Sequence, residues 1–108
     1  MGKHFLLNLY ECCTSLLDNE EFLITLLTEA ATASGATVLA TASHKFDPHG
    51  VTVICLLSES HISIHSWPEE SKAAVDVFTC GESTPQIACD MIINELQAMN
   101  HKLTYIER

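Results

Sequence analysis

Between Ser58 and Glu69 the chain reads Ser-Glu-Ser-His-Ile-Ser-Ile-His-Ser-Trp-Pro-Glu, which gathers hydroxyls, two imidazoles, two carboxylates and the only tryptophan into one short stretch. Such side chains accept and donate protons and, when activated, attack carbonyls. A solvent-facing edge strand with a polar stripe would have the same composition. A zinc site is a second reading, because His61 and His65 stand four apart with Cys55 and Cys80 nearby. Four residues along a strand span about 13 Å, however, whereas two ligands of one zinc ion must each approach to about 2 Å. The alternation through Ile62 and Ile64 marks a strand, so no metal is expected. A hydrolase with Ser60 as nucleophile and His65 as base is a third reading, without the Gly-x-Ser-x-Gly elbow that would support it.

The elements that must hold this stretch follow from periodicity. Phe5 to Tyr10 is short and mostly apolar, a first strand ending near Glu11. Phe22, Leu23, Leu26, Leu27, Ala30 and Ala31 recur at helical spacing, with Asp18 as the expected cap, Glu21 three residues on, and Gly35 at the stop. Thr37 to Phe46 and Val51 to Leu57 read as a hairpin about the turn Asp47-Pro48-His49-Gly50. Ile62 and Ile64 mark the next strand, the Trp67-Pro68 turn follows, and Ala73 to Phe78 forms another. Thr84-Pro85 starts a second helix through Ile87, Met91, Ile92, Leu96 and Met99, and Leu103 to Ile106 closes the chain as a strand. The order β-α-β-β-β-β-α-β predicts an α+β two-layer sandwich, a mainly antiparallel sheet with two helices on one face.

Residues 1–108, 47% hydrophobic, suffice for a single domain with one core. A domain this small leaves much of its surface exposed, so an active site between two subunits, and hence a homodimer, is the expectation. Five Lys and Arg against fourteen Asp and Glu give a formal charge of -9, which repels nucleic acid and anionic membranes. The five cysteines are odd in number and lack Cys-x-x-Cys spacing, as in a reducing compartment. With no membrane-length apolar run and no signal-peptide core at the N-terminus, a cytoplasmic protein is expected.

The run Ser58-Glu59-Ser60-His61 to His65, then Trp67-Pro68-Glu69, followed by Val75-Asp76-Val77-Phe78-Thr79-Cys80-Gly81, resembles the short bacterial and archaeal pyruvoyl-dependent S-adenosylmethionine decarboxylases. Gly2-Lys3-His4 with Leu9-Tyr10-Glu11-Cys12, the turn Ser34-Gly35-Ala36-Thr37, and His44-Lys45-Phe46 with Pro48 and Gly50-Val51-Thr52 extend the likeness over nearly the whole chain. The resemblance implies that Ser60 attacks the carbonyl of Glu59 and that elimination splits the chain into a β chain, 1–59, and an α chain, 60–108. The α chain then begins with a pyruvoyl group, a self-made cofactor whose ketone condenses with the substrate amine as a Schiff base and takes up the electrons released with carbon dioxide.

By the same resemblance His65 is the base for the α-proton of Ser60, Thr52 the hydroxyl that assists it, and Cys80 the acid that returns a proton to the substrate α-carbon. Phe46 stacks on adenine, Glu69 binds the ribose hydroxyls, and Trp67 walls the pocket. Packing is the alternative role for Cys80, Phe46 and Trp67, and Cys12, Cys13, Cys55 and Cys89 are read as packing residues. Residues five apart on a straight strand face opposite sides, so Ser60 must sit in a turn or bulge for His65 to reach it. The chain departs from many relatives with Glu70-Ser71-Lys72 in place of Tyr-Gly-Tyr and with Val53 in place of Gly. Because some similar enzymes act on ornithine or arginine, those are the alternative substrates. The alternative without catalysis is a small α+β binding module that stays uncut.

Overall fold

A computed structural model describes residues Met1–Arg108. In chain order its elements are strand β1 (Gly2–Tyr10), helices α1 (Thr14–Leu17) and α2 (Glu20–Ala33), strands β2 (Val38–Lys45), β3 (Val51–Leu57) and β4 (Ser60–Trp67), a 3-10 turn (Pro68–Glu70), strand β5 (Lys72–Cys80), helix α3 (Pro85–Glu95) and strand β6 (Asn100–Glu107). The six strands form one sheet in the order β2-β3-β4-β5-β1-β6, and every neighbouring pair is antiparallel. The expected meander of four strands is present as β2 to β5, with β1 inserted between β5 and β6.

One sheet face is buried beneath the helices. Val51, Val53, Cys55 and Leu57 of β3, Ile62 and Ile64 of β4, and Val75 and Val77 of β5 alternate inward against Leu23, Leu27 and Ala30 of α2 and Ala88 and Ile92 of α3. The period-two pattern of the strands and the three-to-four-residue spacing of the helices thus meet in a single core. Val53 is fully buried there.

No element of the chain covers the other face. Cross-strand register places Ala40, Leu56, His61, Phe78, His4 and Ile106 in one row across it, and Ala42, Ile54, Ser63, Asp76, Leu6 and Thr104 in the next. Ile54, Leu56 and Ile106 are among its exposed apolar side chains. No helix is long and apolar enough to cross a membrane.

Two local expectations need correction. Asp18 does not cap α2: Asn19 does, its side chain accepting from Phe22 N at 3.0 Å. Asp18 instead accepts from Gly50 N at 2.8 Å and pairs with Lys45 at 3.0 Å, tying the start of α2 to the β2–β3 turn. Helix α3 does not extend to Met99. It ends at Glu95, where Gln97 takes a left-handed conformation (φ 56°) and Ala98 N reaches back to Ile93 O, a Schellman-type closure that lets β6 begin. The short helix α1 has no periodic signature, because four residues are too few to show one. At the end of α2, Gly35 (φ 94°) fills the stop position expected of it.

Candidate active site

The turn between β3 and β4 consists of Ser58 and Glu59, with Leu57 paired to Ser60 at the top of the ladder. Glu59 has φ 64°. A glutamate in the left-handed region costs about 1–2 kcal/mol, and hairpins of this length normally reserve such positions for Gly, Asn or Asp. The strained residue is therefore the one whose carbonyl precedes Ser60. Ser60 opens β4, half-buried, and its hydroxyl donates to Ser58 O at 3.3 Å.

Beside it, β5 ends at Cys80, and Gly81 (φ 79°) turns the chain toward α3. Ser58, Glu59, Ser60, Cys80 and Glu82 line one cavity of about 450 Å³. The end of the sheet thus holds a hydroxyl, the carbonyl it would attack and a free thiol within one recess. Those are the groups that a serine-derived keto cofactor and its proton donor require, so the residues present fit that group.

The remaining predicted residues form a second cavity, of about 370 Å³, at the other end of β3 and β4. Phe46, Thr52, His65, Trp67 and Glu69 all line it, together with His49 and Gly50. Thr52 and His65 face each other across the β3–β4 ladder, and Thr52 Oγ1 lies 2.9 Å from His65 Nδ1. Phe46 follows β2 and meets His44 edge-on at 4.6 Å between ring centres. Trp67 ends β4 and leads into the Pro68–Glu70 turn that carries Glu69. The wall is fixed from beneath by buried Ser66, whose hydroxyl accepts from Val51 N at 3.0 Å and donates to Leu17 O at 2.7 Å.

Within one chain, His65 does not reach Ser60. Ser60 pairs with Leu57 at one end of β4 and His65 with Thr52 near the other, a separation of about 16 Å for five residues of extended strand. Ser60 does follow a turn, as expected, but the turn does not bring the imidazole back. The same separation applies to the hydrolase reading. For the zinc reading, Cys55 faces the helices whereas His61 and His65 alternate onto the opposite sheet face.

Three of the remaining cysteines are core residues. Burial pushes the thiol of Cys12 up to about 11 and that of Cys89 up to about 12, and raises that of Cys55. Cys13 differs from the packing expectation: it is half-exposed ahead of α1, and a hydrogen bond with the Ser15 hydroxyl lowers its pKa.

The departures at 70–72 are accounted for locally. Ser71 has φ 55°, a conformation that glycine adopts freely, and its carbonyl accepts from Cys12 N at 3.0 Å. Lys72 pairs with Glu70 at 3.5 Å and lies over the Tyr10 ring at 5.9 Å, so the two charges at this edge answer each other. Sequence reasoning missed His49, which had been read only as part of a turn. Its Nδ1 lies 3.0 Å from Glu69 Oε1.

Comparison with known proteins adds an independent line. The family model described as S-adenosylmethionine decarboxylase matches residues 3–108. A protein named S-adenosylmethionine decarboxylase proenzyme from Synechococcus sp. (strain WH7803) is 57% identical over 104 residues, covering 95% of this chain and 81% of its own. One of the same name from Thermoanaerobacter sp. (strain X514) is 43% identical over 109 residues, covering 100% of this chain and 88% of its own. Among solved structures, the adenosylmethionine decarboxylase from Aquifex aeolicus VF5 superposes with a TM-score of 0.94 at 38% identity, over 100% of this chain and 90% of that one. A Trypanosoma brucei AdoMetDC-delta26 monomer shares the fold at a TM-score of 0.69 and 14% identity, over 94% of this chain and 44% of that one.

Proposed function

Because the chain belongs to the S-adenosylmethionine decarboxylase family, we propose that it decarboxylates S-adenosylmethionine in the cytoplasm, supplying aminopropyl groups for polyamine synthesis such as that of spermidine. The single domain 1–108 first cuts itself between Glu59 and Ser60. The observation that carries this reading is Ser60 placed directly after left-handed Glu59, in one cavity with Cys80.

In the cleavage, Ser60 Oγ adds to the Glu59 carbonyl carbon and the peptide nitrogen leaves, turning the amide into an ester. Relief of the left-handed strain at Glu59 favours that step. His65 then removes the Ser60 α-proton, and the Glu59 carboxylate departs as the C-terminus of the β chain. Uptake of one water and release of one ammonia complete the balance, leaving a pyruvoyl group at residue 60. Thr52, at 2.9 Å from His65 Nδ1, orients the imidazole.

The pyruvoyl group supplies an electron sink for loss of carbon dioxide from an α-amino acid. Around it, Cys80 holds the proton that returns to the substrate α-carbon. Phe46 stacks on adenine, Trp67 walls the pocket and Glu69 accepts from the ribose hydroxyls.

The distance between Ser60 and His65 is bridged by a second copy. Two sheets packed through their uncovered faces, related by a two-fold axis that runs midway between them, parallel to both and perpendicular to β4, bring the Ser60 end of one protomer over the His65 end of its partner. Exposed Ile54, Leu56 and Ile106 give that face its apolar character. Each site then joins Ser60 and Cys80 of one protomer to the partner's Phe46, Thr52, His65, Trp67 and Glu69.

Carbon dioxide release from carboxyl-labelled S-adenosylmethionine, ornithine and arginine, assayed in parallel, tests the substrate. Turnover is expected with S-adenosylmethionine. Preferential turnover of ornithine or arginine would overturn the nucleoside assignment of Phe46 and Glu69 while leaving the cleavage chemistry intact.

A further inference from the structure

We propose that His49 is a positioning residue for the ribose-binding carboxylate, holding Glu69 so that its unused acceptor sites meet the two hydroxyls of a cis-diol. The inference rests on the assignment of Glu69 made above and extends it to a residue outside that assignment. His49 Nδ1 lies 3.0 Å from Glu69 Oε1, and both side chains line the cavity that also contains Phe46 and Trp67. A carboxylate only accepts, so Nδ1 carries the proton and donates. That bond uses one of about four acceptor sites on the carboxylate and leaves the others for a ligand presenting two O–H donors.

The pair stands half in solvent, with side-chain exposures of 40% for His49 and 43% for Glu69. A glutamate so exposed samples several rotamers, and a ligand that binds it must bear the cost of fixing one. A charge-assisted hydrogen bond from His49 restrains it beforehand. His49 can do so because its own turn is anchored. Gly50 N donates to Asp18 at 2.8 Å and Phe46 N to Gly50 O at 2.8 Å. Gly50 has φ 109°, and an added Cβ there would meet Ser66 O at 3.3 Å. Glu69 is held behind Pro68 at the first position of its turn that can carry an acidic side chain. The fold therefore brings a fixed donor to a loosely anchored acceptor across the mouth of the cavity.

A bond that serves only the turn would affect stability without regard to the ligand, so the test reads ligand discrimination. The processed enzyme, H49L, H49N and E69Q are compared for KM and kcat with S-adenosylmethionine. Inhibition by 5′-methylthioadenosine is also compared with inhibition by its 2′,3′-dideoxy analogue. Asn keeps an N–H donor near the place of Nδ1, whereas Leu does not. The expected result for H49L is a KM raised about tenfold with kcat within about twofold, and a matching loss of preference for the diol-bearing inhibitor. H49N is expected to recover most of both, which separates loss of the donor from failure to fold. If E69Q loses the diol preference while H49L keeps it, His49 has no positioning role and the inference is wrong. If E69Q itself keeps the preference, the assignment of Glu69 fails first and the inference falls with it.

Discussion

At the scale of single residues, the chemistry is concentrated where local rules are broken. Glu59 occupies a backbone region that favours glycine, and the residue after it is the serine proposed to attack its carbonyl. The Glu-Ser-His and Phe-Thr-Cys-Gly motifs were legible through their resemblance to a known family, because composition alone left a polar edge strand equally open. The partnership of His49 with Glu69 was not, since a histidine in a Pro-Gly turn has no signal beyond turn chemistry and only folding brings it to 3.0 Å. Cys80 gives the sharpest prediction at this scale. Cys80→Ala is expected to cleave itself but to lose about 10²- to 10⁴-fold in kcat, and to divert some product toward transamination because the proton goes to the wrong carbon. Steady-state turnover with product analysis checks it, and unchanged turnover and product would remove Cys80 from the mechanism.

Among the elements, strands were easier to read than caps. Val51–Leu57 declared itself through β-branched residues bounded by turn chemistry, and its observed limits are the predicted ones. The start of α2 was misread because Asp18 and Asn19 are both good caps, and only tertiary contact decides between them. Asn19 takes the cap, which frees Asp18 for Gly50 N and Lys45 and makes it a clamp on the β2–β3 turn. Those two hydrogen bonds, the Gly50 N–H first, hold the Asp18 carboxyl below its ordinary 3.8. A carboxyl lowered by folding stabilises the native state above its unfolded pKa, and that contribution fades as pH falls through the folded value. Asp18→Asn is therefore expected to lower Tm at pH 6–7 and to converge with the natural protein on acidification below the ordinary 3.8. Thermal unfolding across that range tests the clamp; a constant Tm difference at every pH would contradict it.

For the molecule as a whole, periodicity foretold two layers and an antiparallel meander. It could not foretell that β1 inserts beside β5, since pairing of residues seventy apart leaves no local trace. Nor could it reveal that Ser60 and His65, neighbours in sequence, would stand at opposite ends of β4, the separation that the proposed dimer is meant to bridge. Mixed dimers test that arrangement. S60A and H65A, each inactive alone, should regain activity when co-expressed, because the heterodimer contains one site with Ser60 of one protomer and the partner's His65. At random assortment about half the dimers are mixed, each with one of two sites restored, so about a quarter of natural activity is expected. No recovery in verified heterodimers would place both residues in the same protomer's site and contradict the shared arrangement. The most direct measurement of the central claim is intact mass on the denatured, active protein, before and after treatment with phenylhydrazine. The account predicts two chains, 1–59 and 60–108, with only the second gaining a hydrazone; active material consisting of a single uncut chain with no trappable carbonyl would contradict it.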